Sequence, residues 1–109
     1  MSKIPYFDAQ PAPPEAGRFG WSHRHVGNAD VICLAGELDH DAAAELRRRL
    51  MSVAASSAAV TIVLDLAEVS FIDAGCIRVI VELRTRGDKK LEVDGLHGIP
   101  EKVFQILGL

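Results

Sequence analysis

"VLDLAEVSFIDAGCIRVI", residues 63 to 80, is the stretch that decides how the chain is read. Its first half closes an apolar run, "VTIVLDL" over residues 60 to 66, with almost no alternation of apolar and polar side chains. A strand covered on both faces, or nearly so, has that pattern. The second half is helical. Cys76, Val79, Ile80 and Leu83 recur along one stripe, and Arg78, Glu82 and Thr85 fall on another. Asp73 stands at the junction, where a carboxylate accepts hydrogen bonds from backbone N–H groups that a helix start leaves without partners. Gly87 suits the helix stop.

Upstream, "DVICLAG" (residues 30–36) reads as a central strand and "FGWSHRHV" (residues 19–26) as a weakly alternating edge strand. Gly27-Asn28 between them fits a tight hairpin turn. A helix follows, capped by Asp39 or Asp41, with Ala43, Leu46, Leu50 and Val53 on its apolar face and Glu45–Arg49 as an i,i+4 pair. It ends near Ser56 and Ser57. Downstream, "KLEV" (residues 90–93) alternates as a short strand. Pro100 suits the first turn of a last helix that ends at Gly108, with Val103, Phe104 and Leu107 turned to the sheet. Residues 1–18, broken by Pro5, Pro11, Pro13 and Pro14, read as a tail, although Tyr6 and Phe7 are able to dock on a surface. The expected fold is a single α/β domain over residues 19–109. It has a mixed sheet of about four strands, an antiparallel hairpin and then largely parallel pairing, packed by about three helices through right-handed crossovers.

Composition narrows the function classes. The 109 residues fit one domain, and 49% hydrophobic content suffices for a core. A net charge of -3 gives no bulk attraction to nucleic acid or to an anionic membrane. The cluster Arg47, Arg48, Arg49 is balanced by Asp39, Asp41 and Glu45 and reads as a solvated helix face. No signal peptide and no membrane-spanning run are visible, and two cysteines make no disulfide framework, so a cytoplasmic location is expected.

No enzyme emerges from the chemistry-bearing residues. Asp73 as a phospho-acceptor would need clustered acids and a nearby cation; Asp65 is a candidate second acid, but no lysine falls at a matching strand end. Cys76 is followed by the helical "IRVIVEL" and not by a phosphate-cradling loop. His23 and His25 share one strand face, His40 and His97 are isolated, and none pairs with a cysteine at metal-ligand spacing, so neither a metal nor another cofactor is expected. Cys33 reads as a small buried hydrophobe. Cys76 lies where the helix dipole favours a thiolate and Asp73 opposes it; inert packing without a disulfide is expected of the pair.

"LAGELDHDAAAEL" (residues 34–46) and "VLDLAEVSFIDAGCI" (residues 63–77) together resemble the STAS domain family, anti-sigma-factor antagonist type, and the terminal "VFQILGL" resembles its last helix. The resemblance covers roughly residues 20–109. It implies a non-catalytic regulator in a partner-switching circuit, one that binds an anti-sigma factor that is also a serine kinase. In the family, phosphorylation of the first serine after the motif aspartate ends that binding. Ungapped, the aspartate is Asp73, the acceptor serine is Ala74, the second serine is Gly75 and the glycine is Cys76. The departure therefore falls on the switch: Ala74 has no hydroxyl. The resemblance places the partner surface at Glu37, Asp39, His40 and Asp41 together with Asp73, Ala74, Gly75, Cys76, Ile77 and Arg78. Two alternatives accompany it. One is an accessory subunit of an ABC-type membrane transport complex, bound to its ATPase. The other is a redox-responsive binder using Cys33 and Cys76.

Overall fold

The computed structural model describes residues 19–108; the Pro-rich segment 1–18, with Tyr6 and Phe7, lies outside the described residues. Strands β1 (Gly20–Val26) and β2 (Ala29–Leu38) form the hairpin. Val26 pairs with Ala29 across Gly27-Asn28, and Gly27 supplies the positive φ, +60°, that a two-residue turn needs. One 3-10 turn (His40–Ala42) leads into α1 (Ala43–Ser56), followed by β3 (Thr61–Ile72), α2 (Ala74–Arg86), β4 (Lys90–Asp94) and α3 (Gly98–Ile106). The sheet order is β1-β2-β3-β4, antiparallel at the hairpin and parallel elsewhere. This is the mixed four-stranded sheet with three helices that the alternation of patterns implies.

All three helices contribute to one core on one side of the sheet. Ile32 and Leu34 of β2, Ile62, Leu64 and Leu66 of β3, Leu46 and Leu50 of α1, Ile77 and Ile80 of α2 and Phe104 of α3 are buried there together. The other face carries a smaller buried cluster, Val31, Cys33 and Val63. Arg47 bridges to Glu82, tying α1 to α2, while Glu45 takes Arg48 and Arg49. Arg49 also lies over the Phe19 and Trp21 rings, 5.8 and 5.3 Å from their centroids, so the arginine run is only in part a solvated face.

Two expectations change. β3 does not stop at Leu66; it runs on to Ile72 with two extra residues relative to β2, where the register jumps from Cys33↔Asp65 to Ala35↔Glu68 and from Gly36↔Val69 to Glu37↔Phe71. Each bulge shifts the inward position by one, so Leu66, Val69 and Ile72 reach the core at three-residue spacing. Leu107 does not face the sheet: α3 ends at Ile106, and Leu107 is exposed, whereas Phe104 is buried and Val103 packs against the core.

β4 pairs only with Thr61–Asp65. Beyond it α3 packs against β3. The connecting turn is tight at Gly95, where φ is +79° and an added Cβ would lie 2.7 Å from the Ala67 backbone nitrogen.

Candidate functional site

β2 and β3 end side by side, with Leu38 opposite Ile72 and the Asp73 N–H donating to the Leu38 carbonyl at 2.8 Å. Two helical segments therefore begin next to each other at one end of the sheet. Each is capped by its own aspartate. Asp39 Oδ1 accepts from the Ala42 N–H at 3.2 Å, which settles the capping choice against Asp41, and Asp73 Oδ1 accepts from the Gly75 N–H at 2.7 Å. The Cys76 thiol donates to the Asp39 carbonyl at 3.4 Å and stitches one start to the other. A Cβ on Gly75 would sit 3.2 Å from Asp73 Oδ1 and 3.6 Å from the Ala43 methyl, so the closeness of the two starts favours the absence of a side chain there.

The ten residues expected on this surface divide into three groups. Glu37, His40, Asp41, Ala74 and Arg78 are exposed and free to touch a partner. Asp39, Asp73 and Gly75 are half-buried, with both aspartates engaged in capping. Cys76 and Ile77 are core residues, 0% and 2% exposed, so they support the surface from beneath and do not form it. Burial first, then the charges of Asp73 and Asp39, push the Cys76 thiol up to about 11, so little thiolate exists near neutrality. Cys33 lies in the cluster on the opposite sheet face, and no disulfide joins the two.

Phe71 is also exposed at this end of the sheet and was not among the expected residues. Its position inside an apolar strand ending concealed it; the bulge at Ser70 turns it outward, 40% exposed and three residues from Ala74.

The sequence model of the family described as "Mlab, STAS domain" matches residues 21–109. The chain belongs to the STAS domain family. No curated protein matches it in sequence. Among solved structures, an anti-sigma factor antagonist from Mycobacterium paratuberculosis is similar with a TM-score of 0.77 at 18% identity, over 91% of this chain and 83% of that one. The Bacillus cell fate determinant SpoIIAA in its phosphorylated form is similar with a TM-score of 0.65 at 25% identity, over 82% and 84% of the two chains. The anti-sigma factor antagonist SpoIIAA in its unphosphorylated form gives 0.62 at 23%, over 79% and 82%. The fold of this STAS domain is thus that of the antagonists.

At the other end of the sheet, this STAS domain gathers three groups that the sequence reading left apart. The two-residue turn puts His25 opposite Asp30 and His23 opposite Ile32, so His23, His25 and Asp30 share the helix-covered face. Asp30 is fully buried, and its Oδ1 receives His23 Nε2 at 2.8 Å and His25 Nδ1 at 2.7 Å. Burial opposes its charge, but Ser57, the His23 hydrogen bond and the charges of His23 and His25 together hold its carboxyl below the usual value. The signal was available: an acid heading an apolar strand, set by a two-residue turn against a His-x-His pair.

No helix among the described residues is long and apolar enough to cross a membrane.

Proposed function

We propose that this STAS domain is a non-catalytic, cytoplasmic regulator of partner-switching type that docks an anti-sigma factor of the serine-kinase kind, in a circuit controlling transcription. The docking surface would comprise Glu37, His40, Asp41, Phe71, Ala74 and Arg78. One observation carries the reading: two capped helix starts, held together at Leu38–Asp73, leave Phe71 and Ala74 both exposed in a fold shared with the antagonists. Phe71 would supply hydrophobic contact, while Glu37, Asp41 and the capping aspartates would steer a basic partner patch. Ala74 offers a methyl group where a kinase needs a hydroxyl in line with its γ-phosphate. On this reading the domain binds without being released by phosphorylation at that position.

The test is affinity for the kinase co-purified with the protein. Phe71→Ala and Ala74→Glu should weaken binding at least about tenfold, as expected for a central hot spot and a misplaced charge. Ala74→Ser should acquire one phosphoryl group from that kinase and the wild type none at the start of α2. A wild type labelled at Ser70 or Thr61 would show that the switch has moved. Unchanged affinity in both surface variants would place the interface elsewhere. The same exposed methyl at Ala74 favours a second reading, an accessory subunit of an ABC-type transport complex with no phosphorylation duty; co-purification of a transporter ATPase would select it.

A further inference from the structure

The surface at the helix starts leaves the opposite end of the molecule without a task, yet its polar groups are the most unusual in the fold. Asp30 has no contact with solvent and lies on the helix-covered face of β2, where Ile32 and Leu34 follow it into the apolar core. Its Oδ1 takes two ring nitrogens, while Oδ2 is buried and makes no hydrogen bond of ordinary geometry, although Ser57 is near enough to favour the charge. A buried carboxylate oxygen left in that state is costly, and a bound cation would satisfy it more fully than the Ser57 hydroxyl does.

We propose that His23, His25 and Asp30 form a Zn2+ site that staples the edge strand β1 to β2. The three ligand atoms already lie within 4.8 Å of one another. Two imidazole nitrogens and one carboxylate oxygen are the donor set of zinc, not of calcium or magnesium, which take oxygen ligands. A tetrahedral ion about 2.0–2.2 Å from each ligand would displace the two present hydrogen bonds, parting the nitrogens from Oδ1 by roughly half an ångström. Both rings are free to make that adjustment, since their side chains are 35% and 59% exposed. Each ring now turns an N–H to Oδ1, so ligation would move that proton to the ring's other nitrogen and leave the lone pair facing the metal. Oδ2 would approach the ion from its buried side, and water would fill the remaining position. The hairpin supplies the geometry: His-x-His on one strand projects to one face, and the turn fixes the third ligand across the ladder. The site lies about 26 Å along β2 from the helix starts, eight residues at strand rise, so it is separate from the docking surface.

The experiment is titration of the full, untagged, metal-free chain with Zn2+ by calorimetry, with Co2+ absorption as a report on tetrahedral coordination. One ion per chain is expected, with Tm rising by about 10 °C at a hundredfold excess over Kd. His23→Ala and His25→Ala, both at accessible positions and therefore expected to fold, should each weaken binding at least about tenfold, as loss of a ligand or its support does. His97→Ala, at the other side of the fold, should leave it unchanged. Absence of Zn2+ binding by the wild type, or binding by either histidine variant as tight as the wild type's, or competition by equimolar Mg2+, would overturn the assignment.

Discussion

The two halves of β3 are built on different rules. From Thr61 to Asp65 the strand has β2 on one side and β4 on the other, in unbroken register, and Ile62 and Leu64 enter the core at the two-residue period of a strand. From Leu66 to Ile72 it has only one strand neighbour, two extra residues, and α3 where a strand could have continued. The regular half is a wall. The irregular half re-aims side chains: it turns Phe71 outward and delivers Asp73 to the second helix start. Both halves fill the core, but only the interrupted half also turns a large apolar ring, Phe71, to solvent.

Substitutions that separate the halves test this contrast. The largest effect is expected at the junction. A methyl on Gly95 would lie 2.7 Å from both the Ala67 nitrogen and Asp65 Oδ1, at a φ that a side chain resists. Gly95→Ala should cost about 3 kcal/mol in urea unfolding. A loss well under about 1 kcal/mol would mean that the halves are not clamped there. Within the halves, Leu64→Ala should cost about 3 kcal/mol by leaving a cavity, whereas Phe71→Ala should cost less than about 1 kcal/mol because its ring is partly solvated. Reversal of that order would refute the division.

Alkaline titration reaches the support beneath the irregular half. The Cys76 thiol has its folded value raised from 9.0 to about 11. The folded state therefore holds its proton after the unfolded chain has lost it. The stabilisation of the protonated thiol is intact below pH 9 and is lost as pH climbs toward 11. Stability measured from pH 8 to 11 should fall more steeply in the wild type than in Cys76→Ala, and parallel curves would contradict the burial argument. A smaller effect than the thiol's belongs to the cap. Asp73→Ala removes the acceptor of the Gly75 N–H and should cost about 1 kcal/mol, seen as a lower urea midpoint at unchanged slope.

What the sequence showed followed how far each interaction reaches along the chain. Asp73 capping the Gly75 N–H spans two residues and Asp39 capping the Ala42 N–H spans three, and both helix starts were legible. So were the hairpin turn at Gly27, the α2 stop at Gly87 and the parallel pairing of the later strands. The upper half of β3 was not, because two bulges convert its inward spacing from two to three, a period that no longer looks like a strand. Cys76 and Ile77 were placed on the surface by motif position, while the helix they open turns exactly those side chains inward, to the stripe they share with Val79 and Ile80. Asp30 went unnoticed because its partners are supplied by the neighbouring strand, through register and not through proximity in sequence.

Strand order in space equals strand order in the chain. Each new strand therefore joins an edge left open by the one before it, and no segment has to be inserted between two already paired. The hairpin closes over only a two-residue turn, so it is available to form early, and each later β-strand brings its own covering helix. Loop closure is met in increments, a route with fewer long-range steps than a sheet whose first and last strands must meet at its centre. During synthesis the chain can assemble in the direction in which it emerges, with α3 the last element to dock against the edge that β4 leaves uncovered.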